Sequence, residues 1–121
     1  MTPAHGGIEM NDSILTTTKK SLGITEECTS FDSDLILHIN SVLGILTQIG
    51  VGPENGFSIQ SKEETWSDFI DDADLEMVKS YVQLKTRLLF DPPLSSAVME
   101  SINKMVSELE WRIHVHIENR R

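Results

Sequence analysis

Residues 75–113 read LEMVKSYVQLKTRLLFDPPLSSAVMESINKMVSELEWRI, two long helical patterns separated by Pro92 and Pro93. Neither proline can donate a helical hydrogen bond, so the first helix must end near Asp91, and the same prolines set φ for the start of the second helix. Burying a large apolar side chain contributes roughly 1.5–3 kcal/mol, so the second pattern predicts a long helix with a core-facing stripe. The residues of that stripe are Leu94, Val98, Ile102, Met105, Leu109 and Ile113.

A third long helix is predicted upstream, starting near Ser30 to Asp34 and stopped by Gly50, Gly52 and Pro53. Its acidic start suits the positive end of the helix dipole. Gly44 lies inside it and costs roughly 1 kcal/mol relative to alanine, which suggests a close helix approach or a bend at that point. Its apolar stripe is Leu35, Ile39, Val42, Leu46 and Ile49.

Shorter elements complete the prediction. Residues 1–10 show no periodicity and are expected to form a flexible leader to a single domain at 11–121. Asn11, Asp12 and Ser13 offer N-cap oxygens for a short helix that Gly23 ends. Residues 51–64 suit either a small hairpin or an ordered loop, and 65–68 (TWSD) match a capping box that opens a helical turn. The fold class predicted is all-α: a small antiparallel bundle of three longer helices, one or two short ones, and one irregular loop or small hairpin.

Composition narrows the class of protein. The chain has 121 residues, a net charge of −9 and one cysteine, Cys28. One domain of this size is expected, in a reducing compartment, without an intrachain disulfide. Nucleic-acid binding depends on Lys and Arg, so a chain this acidic is a poor candidate for gripping DNA. No apolar stretch approaches the ~20 residues that span a bilayer, so no membrane association is expected.

The residues also give little sign of catalysis or metal binding. His114 and His116 are two apart and lie on different helix faces, so they cannot chelate one ion together. The carboxylates of residues 68–76 lack the spacing and the glycine of a calcium loop. Neither a phosphate-binding glycine loop nor a nucleophile elbow is present. The sequence therefore predicts no metal, no cofactor and no enzyme.

The C-terminal segment is a candidate protein interface. Trp111 and Val115 are expected to point away from the stripe that contains Ile102 and Leu109. Large apolar residues off the main stripe suit an intermolecular surface, or a helix covered on both sides by its own domain. Trp66 either covers the core, which is favoured, or binds a partner. The candidate interface residues are Phe57, Trp66, Trp111, Arg112, Val115, Arg120 and Arg121.

Several motifs in a fixed order point to a known family. They are DSIL at 12–15, HINS at 38–41, GVGP at 50–53, TWSDF at 65–69, YVQLKTRLLFDPPLSS at 81–96 and ELEWR at 108–112. From about residue 11 to its end, the chain resembles the head–tail connector proteins of tailed bacteriophages. These proteins are also called adaptor or head-completion proteins, and the resemblance is to those of siphophages of Gram-positive hosts.

The resemblance implies a structural virion protein. Such proteins assemble as rings, commonly of twelve copies, beneath the portal, where they continue the DNA channel without sequence-specific binding and dock the next neck, stopper or tail protein. The stretch from Trp111 to Arg121 would reach towards the portal. The implied location is the virion neck, with assembly in the host cytoplasm. The alternative is a soluble acidic helical regulator that binds a single host protein.

Overall fold

The computed structural model describes residues 9–120, except for the side chain of Asp72, and shows an all-α bundle. The helices are α1 (Ile14–Ser21), α2 (Asp32–Ile49), α3 (Trp66–Phe69), α4 (Leu75–Phe90) and α5 (Ser96–Asn119), with a 3-10 turn at Asp72–Asp74 before α4. Within residues 9–120 no strand forms, although Ser13 and Thr65 make one isolated antiparallel bridge. The predicted fold class is confirmed.

The helix ends follow the capping signals in the sequence. The Ser13 hydroxyl accepts the Thr16 N–H at 3.1 Å and starts α1, and Gly23 follows its end with a positive φ. Gly50 ends α2 with a φ of 110°. Ser95 caps α5 by accepting the Val98 N–H at 3.3 Å. These short polar contacts satisfy N–H groups that have no partner inside the helix.

The core lies where α4 packs against both α2 and α5, while α1 packs across α2 and α4. Buried apolar side chains from all five helices and from the loop after α2 form one cluster. Lys19 at the end of α1 is also buried. Its ammonium group lies 2.9 Å from Asp32 Oδ1 and donates to the Glu26 carbonyl at 3.1 Å, so this buried charge joins α1 to the start of α2.

The prediction for the stripe of α5 is wrong at its N-terminal end. Leu94 precedes the cap, lies outside the helix and is fully exposed. Val98 and Met105 are also exposed, because the core contacts the helix along a line displaced to one side of the predicted stripe. The buried positions on α5 are Ile102, Val106, Ile113 and Ile117.

Two further expectations concern Gly44 and the loop after α2. Gly44 is exposed, and a Cβ atom there would meet nothing within 4 Å, so close approach within this subunit does not explain the glycine. Residues 51–64 form an ordered loop and no hairpin. The Asn40 side chain holds this loop, since it donates to the Ile59 carbonyl at 2.9 Å and accepts the Ile59 N–H at 2.8 Å.

The predicted leader falls mostly outside the described residues, because residues 1–8 are not among them. At its end, the Met10 carbonyl accepts the Ser67 N–H at 2.8 Å, and the Met10 side chain packs against the core. Met10 therefore belongs to the folded domain.

Candidate protein interface

Trp66 is a core residue, and this corrects its selection as an interface candidate. Its side chain has no exposed surface. The indole N–H donates to the Thr17 hydroxyl at 3.0 Å, which satisfies the polar edge that a buried tryptophan must pair. Because Trp66 opens α3 and Thr17 lies in α1, this contact ties the two helices together. A partner cannot reach Trp66 unless the fold opens.

Phe57 is half-buried and packs within the subunit. Its ring stacks on Phe69 with the ring centroids 5.1 Å apart and an angle of 25° between the planes. The stack fastens the loop after α2 to the end of α3. Only part of the Phe57 side chain is left for contact with another molecule.

Trp111 lies exposed on α5, with a relative exposure of 65%. Val115 lies one turn further along the same outward face and is half-buried. Arg112 is exposed and forms an ion pair with Glu108 at 2.7 Å. The structure therefore places Trp111, Arg112 and Val115 together on the outside of α5. We call these three residues the α5 outer surface.

Arg120 forms its hydrogen bonds within its own subunit. One of its guanidinium nitrogens, Nη1, donates to both carboxylate oxygens of Asp74, at 3.0 and 2.9 Å. The His116 ring lies 2.8 Å from the same carboxylate, which is largely buried. These contacts fix the end of α5 to the start of α4. The last candidate, Arg121, lies outside the described residues.

A second polar contact joins the same two helices near their middle. The Tyr81 hydroxyl donates to Glu110 at 2.6 Å. Burial raises the pKa of Tyr81, and the hydrogen bond and negative charge of Glu110 raise it further. The phenol therefore remains protonated well above its ordinary range near pH 10.

This contact gives a testable pH dependence. Tyr81 is the only tyrosine, so tyrosinate absorbance reports on it alone. We expect the absorbance of the folded protein to stay flat through pH 10, and Glu110→Gln to move the titration downwards. Because the folded pKa is the higher one, the stabilisation relative to Tyr81→Phe is complete below about pH 10 and is lost as the pH rises further. A titration near pH 10 in the folded wild type would contradict the burial of this contact.

Sequence reasoning missed a groove beside the α5 outer surface, with Arg112 in the lining of the groove as well as in that surface. Its volume is about 520 Å³, and it lies between the end of α1, α4 and α5. Its apolar lining residues are Leu22, Leu84, Met105 and Leu109. The sequence predicts Met105 and Leu109 in the core stripe, because periodicity identifies an apolar face without showing whether that face is covered. Half of the Met105 side chain is exposed.

Two other kinds of site are clusters of metal-ligating side chains and helices that cross a membrane. Within the described residues, no group of three or more His, Cys, Asp or Glu side chains could hold a metal ion. None of the helices in this part of the chain combines the length and the apolar character needed to cross a membrane.

Comparison with known proteins gives a family match. Residues 14–120 match the family described as phage connector protein. The match begins at the first residue of α1 and ends one residue beyond α5, so it covers every helix described above. No curated protein and no solved structure matches the chain. Since the family covers nearly the whole chain, the chain belongs to the phage connector proteins, whose role is a structural one between phage head and tail.

Proposed function

We propose that this protein forms a homo-oligomeric ring, of twelve copies, beneath the portal of the phage head. In that position it joins the head to the tail and continues the DNA channel. Residues 10–121 act as one connector domain with no catalytic role, in the neck of a siphophage of a Gram-positive host after assembly in the host cytoplasm. The family match over residues 14–120 carries this proposal.

The exposed surface supports assembly with other proteins. Trp111 contributes a large apolar area that nothing in the described chain covers. Tryptophan is among the residues that most often dominate binding energy at protein interfaces. We propose that the α5 outer surface contacts the portal and that Arg121 belongs to the same contact. Arg120 keeps the helix end in place for it.

The charge of the chain supports a conduit for DNA. A net charge of −9 gives a wall that repels phosphates and does not hold them. DNA would then pass through the ring without sequence-specific contacts. The lower face of the ring would remain available to the next neck, stopper or tail protein.

The test is co-expression with the portal protein of the same phage. We expect a stable complex with several copies of this chain per portal, visible as a ring by electron microscopy. Particles made without this protein should be filled heads that lack tails. A folded protein that never associates with the portal, and instead forms a discrete complex with one host protein, would contradict the proposal and support the regulator.

Trp111→Ala tests the assignment of the portal contact. Truncating an exposed side chain changes the free energy of unfolding by less than about 0.5 kcal/mol, whereas truncating a central interface tryptophan costs about 2 kcal/mol or more in binding. We therefore expect an unchanged melting temperature and at least about thirtyfold weaker portal binding. Asn103→Ala, another exposed position on α5, is the matched control and should bind like the wild type. Normal portal binding by Trp111→Ala would exclude this surface.

A further inference from the structure

The groove between α1, α4 and α5 is lined by apolar side chains and by three charged ones, Arg87, Arg112 and Glu108. Arg112 is already paired with Glu108, but Arg87 is exposed and has no ion pair within residues 9–120. The groove therefore fits a partner that presents an apolar side chain with a carboxylate close beside it.

The chain itself carries such a surface on α2. Leu37 is 64% exposed, and Asp34 lies one turn before it on the same side of the helix, exposed and without an ion pair among the described residues. Phe31, which is also partly exposed, extends the apolar area at the helix start. We call Phe31, Asp34 and Leu37 the α2 patch.

The α2 patch is shaped to meet another helix. Ser41 and Gly44 continue the line of Leu37 along α2, and the space around Gly44 is open. Small side chains at this spacing let a second helix come close. Gly44 has no packing role inside the subunit, so its surface is free for a contact with another copy.

The patch and the groove lie on different sides of the subunit. By helical periodicity, Leu37 is on the face of α2 opposite the buried Leu35, Ile39 and Leu46. On α4, which separates α2 from the groove, Leu84 lies on the side away from the buried Val82. Two different surfaces on two sides of one subunit make a heterologous contact, the kind that repeats around a ring.

We propose that the α2 patch of one copy docks into the groove of the next copy, with Leu37 in the apolar groove and Asp34 paired with Arg87. Both the hydrophobic and the electrostatic energy favour this contact, because apolar surface is covered and opposite charges meet. This inference rests on the proposed function for the existence of a ring, and it adds which surfaces join neighbouring copies.

A charge exchange tests it. Arg87→Glu and Asp34→Arg are made singly and together, and the number of chains bound per portal and the self-association constant are measured by analytical ultracentrifugation. Each single variant should weaken self-association at least about tenfold, and the double variant should recover most of that loss because the pair is restored in reverse. Lys62→Glu and Glu63→Arg are exposed controls with the same changes of charge and should behave like the wild type.

The outcomes separate this inference from the proposed function. If wild-type rings form on the portal but the double variant is no better than the single ones, the groove has another occupant and only this inference is overturned. The same holds if both single variants assemble normally. If only one copy binds each portal, no ring forms, and both the proposed function and this inference are overturned. If the wild-type chain never binds the portal, the proposed function fails, and self-association that responds to the charge exchange would still support the contact.

Discussion

Trp66→Ala should lower the free energy of unfolding by about 3–5 kcal/mol, the usual cost of removing a buried tryptophan. In a domain of this size that corresponds to a fall in melting temperature of roughly 10–25 °C. The side chain has no exposed surface, and its removal also leaves the Thr17 hydroxyl without the indole donor. Urea unfolding followed by circular dichroism measures the change.

The other tryptophan is the matched control. Trp111→Ala removes the same chemical group from an exposed site and should change the free energy of unfolding by less than about 0.5 kcal/mol. Trp66→Phe keeps an aromatic ring but loses the hydrogen bond to Thr17, so its cost should lie between the two. Equal costs for the two alanine variants would contradict the packing of α3 against α1.

Gly52→Ala is the second substitution with a large expected effect. Gly52 has a φ of 80°, and a Cβ atom there would lie 2.5 Å from Cε1 of the Phe69 ring. The left-handed backbone costs a non-glycine residue about 1–2 kcal/mol, and forcing an extra carbon into a packed site costs about 1–3 kcal/mol more. We expect a loss of about 2–5 kcal/mol in the free energy of unfolding, measured by thermal and urea unfolding.

Gly44→Ala provides a comparison with the opposite sign. Gly44 lies within α2 in open space, so alanine should raise the free energy of unfolding by about 0.5–1 kcal/mol. The two substitutions thus distinguish Gly52, which its backbone conformation requires to be glycine, from Gly44, which lies on an open surface. A destabilising Gly44→Ala, or a neutral Gly52→Ala, would show that the local geometry differs from that described above.

The bounds of the elements were largely predictable because their signals are local. The serine before α1, the glycine after α2 and the proline pair after α4 each act on the residues beside them. The capping box at Thr65 is equally local, since the Asp68 carboxylate accepts the Thr65 N–H at 2.9 Å. Such contacts form within a few residues, so the sequence carries them without reference to the rest of the fold.

The surfaces were harder to predict because burial depends on which helix lies opposite. Trp66 and Trp111 have the same side chain, but the packed elements around Trp66, α1 among them, leave it no exposed surface, whereas Trp111 stays open to solvent. On α5 the apolar positions extend beyond the line that contacts the core. Periodicity indicates how wide an apolar face is, but the part of that face that stays open is decided by packing between helices. The groove was missed for this reason.

The continuous helix α5 has a mechanical consequence. Val98 and Trp111 are exposed on roughly opposite sides of α5, separated along its axis by about 20 Å at the helical rise of 1.5 Å per residue. Because Arg120 at its C-terminal end is bound to the Asp74 carboxylate, α5 is fixed in place and sets the distance between Val98 and Trp111. Two neighbouring molecules, one in contact with Val98 and the other with Trp111, would be held at a set distance by the helix. A force applied at one of these residues would reach the other through the helix without the subunit having to bend.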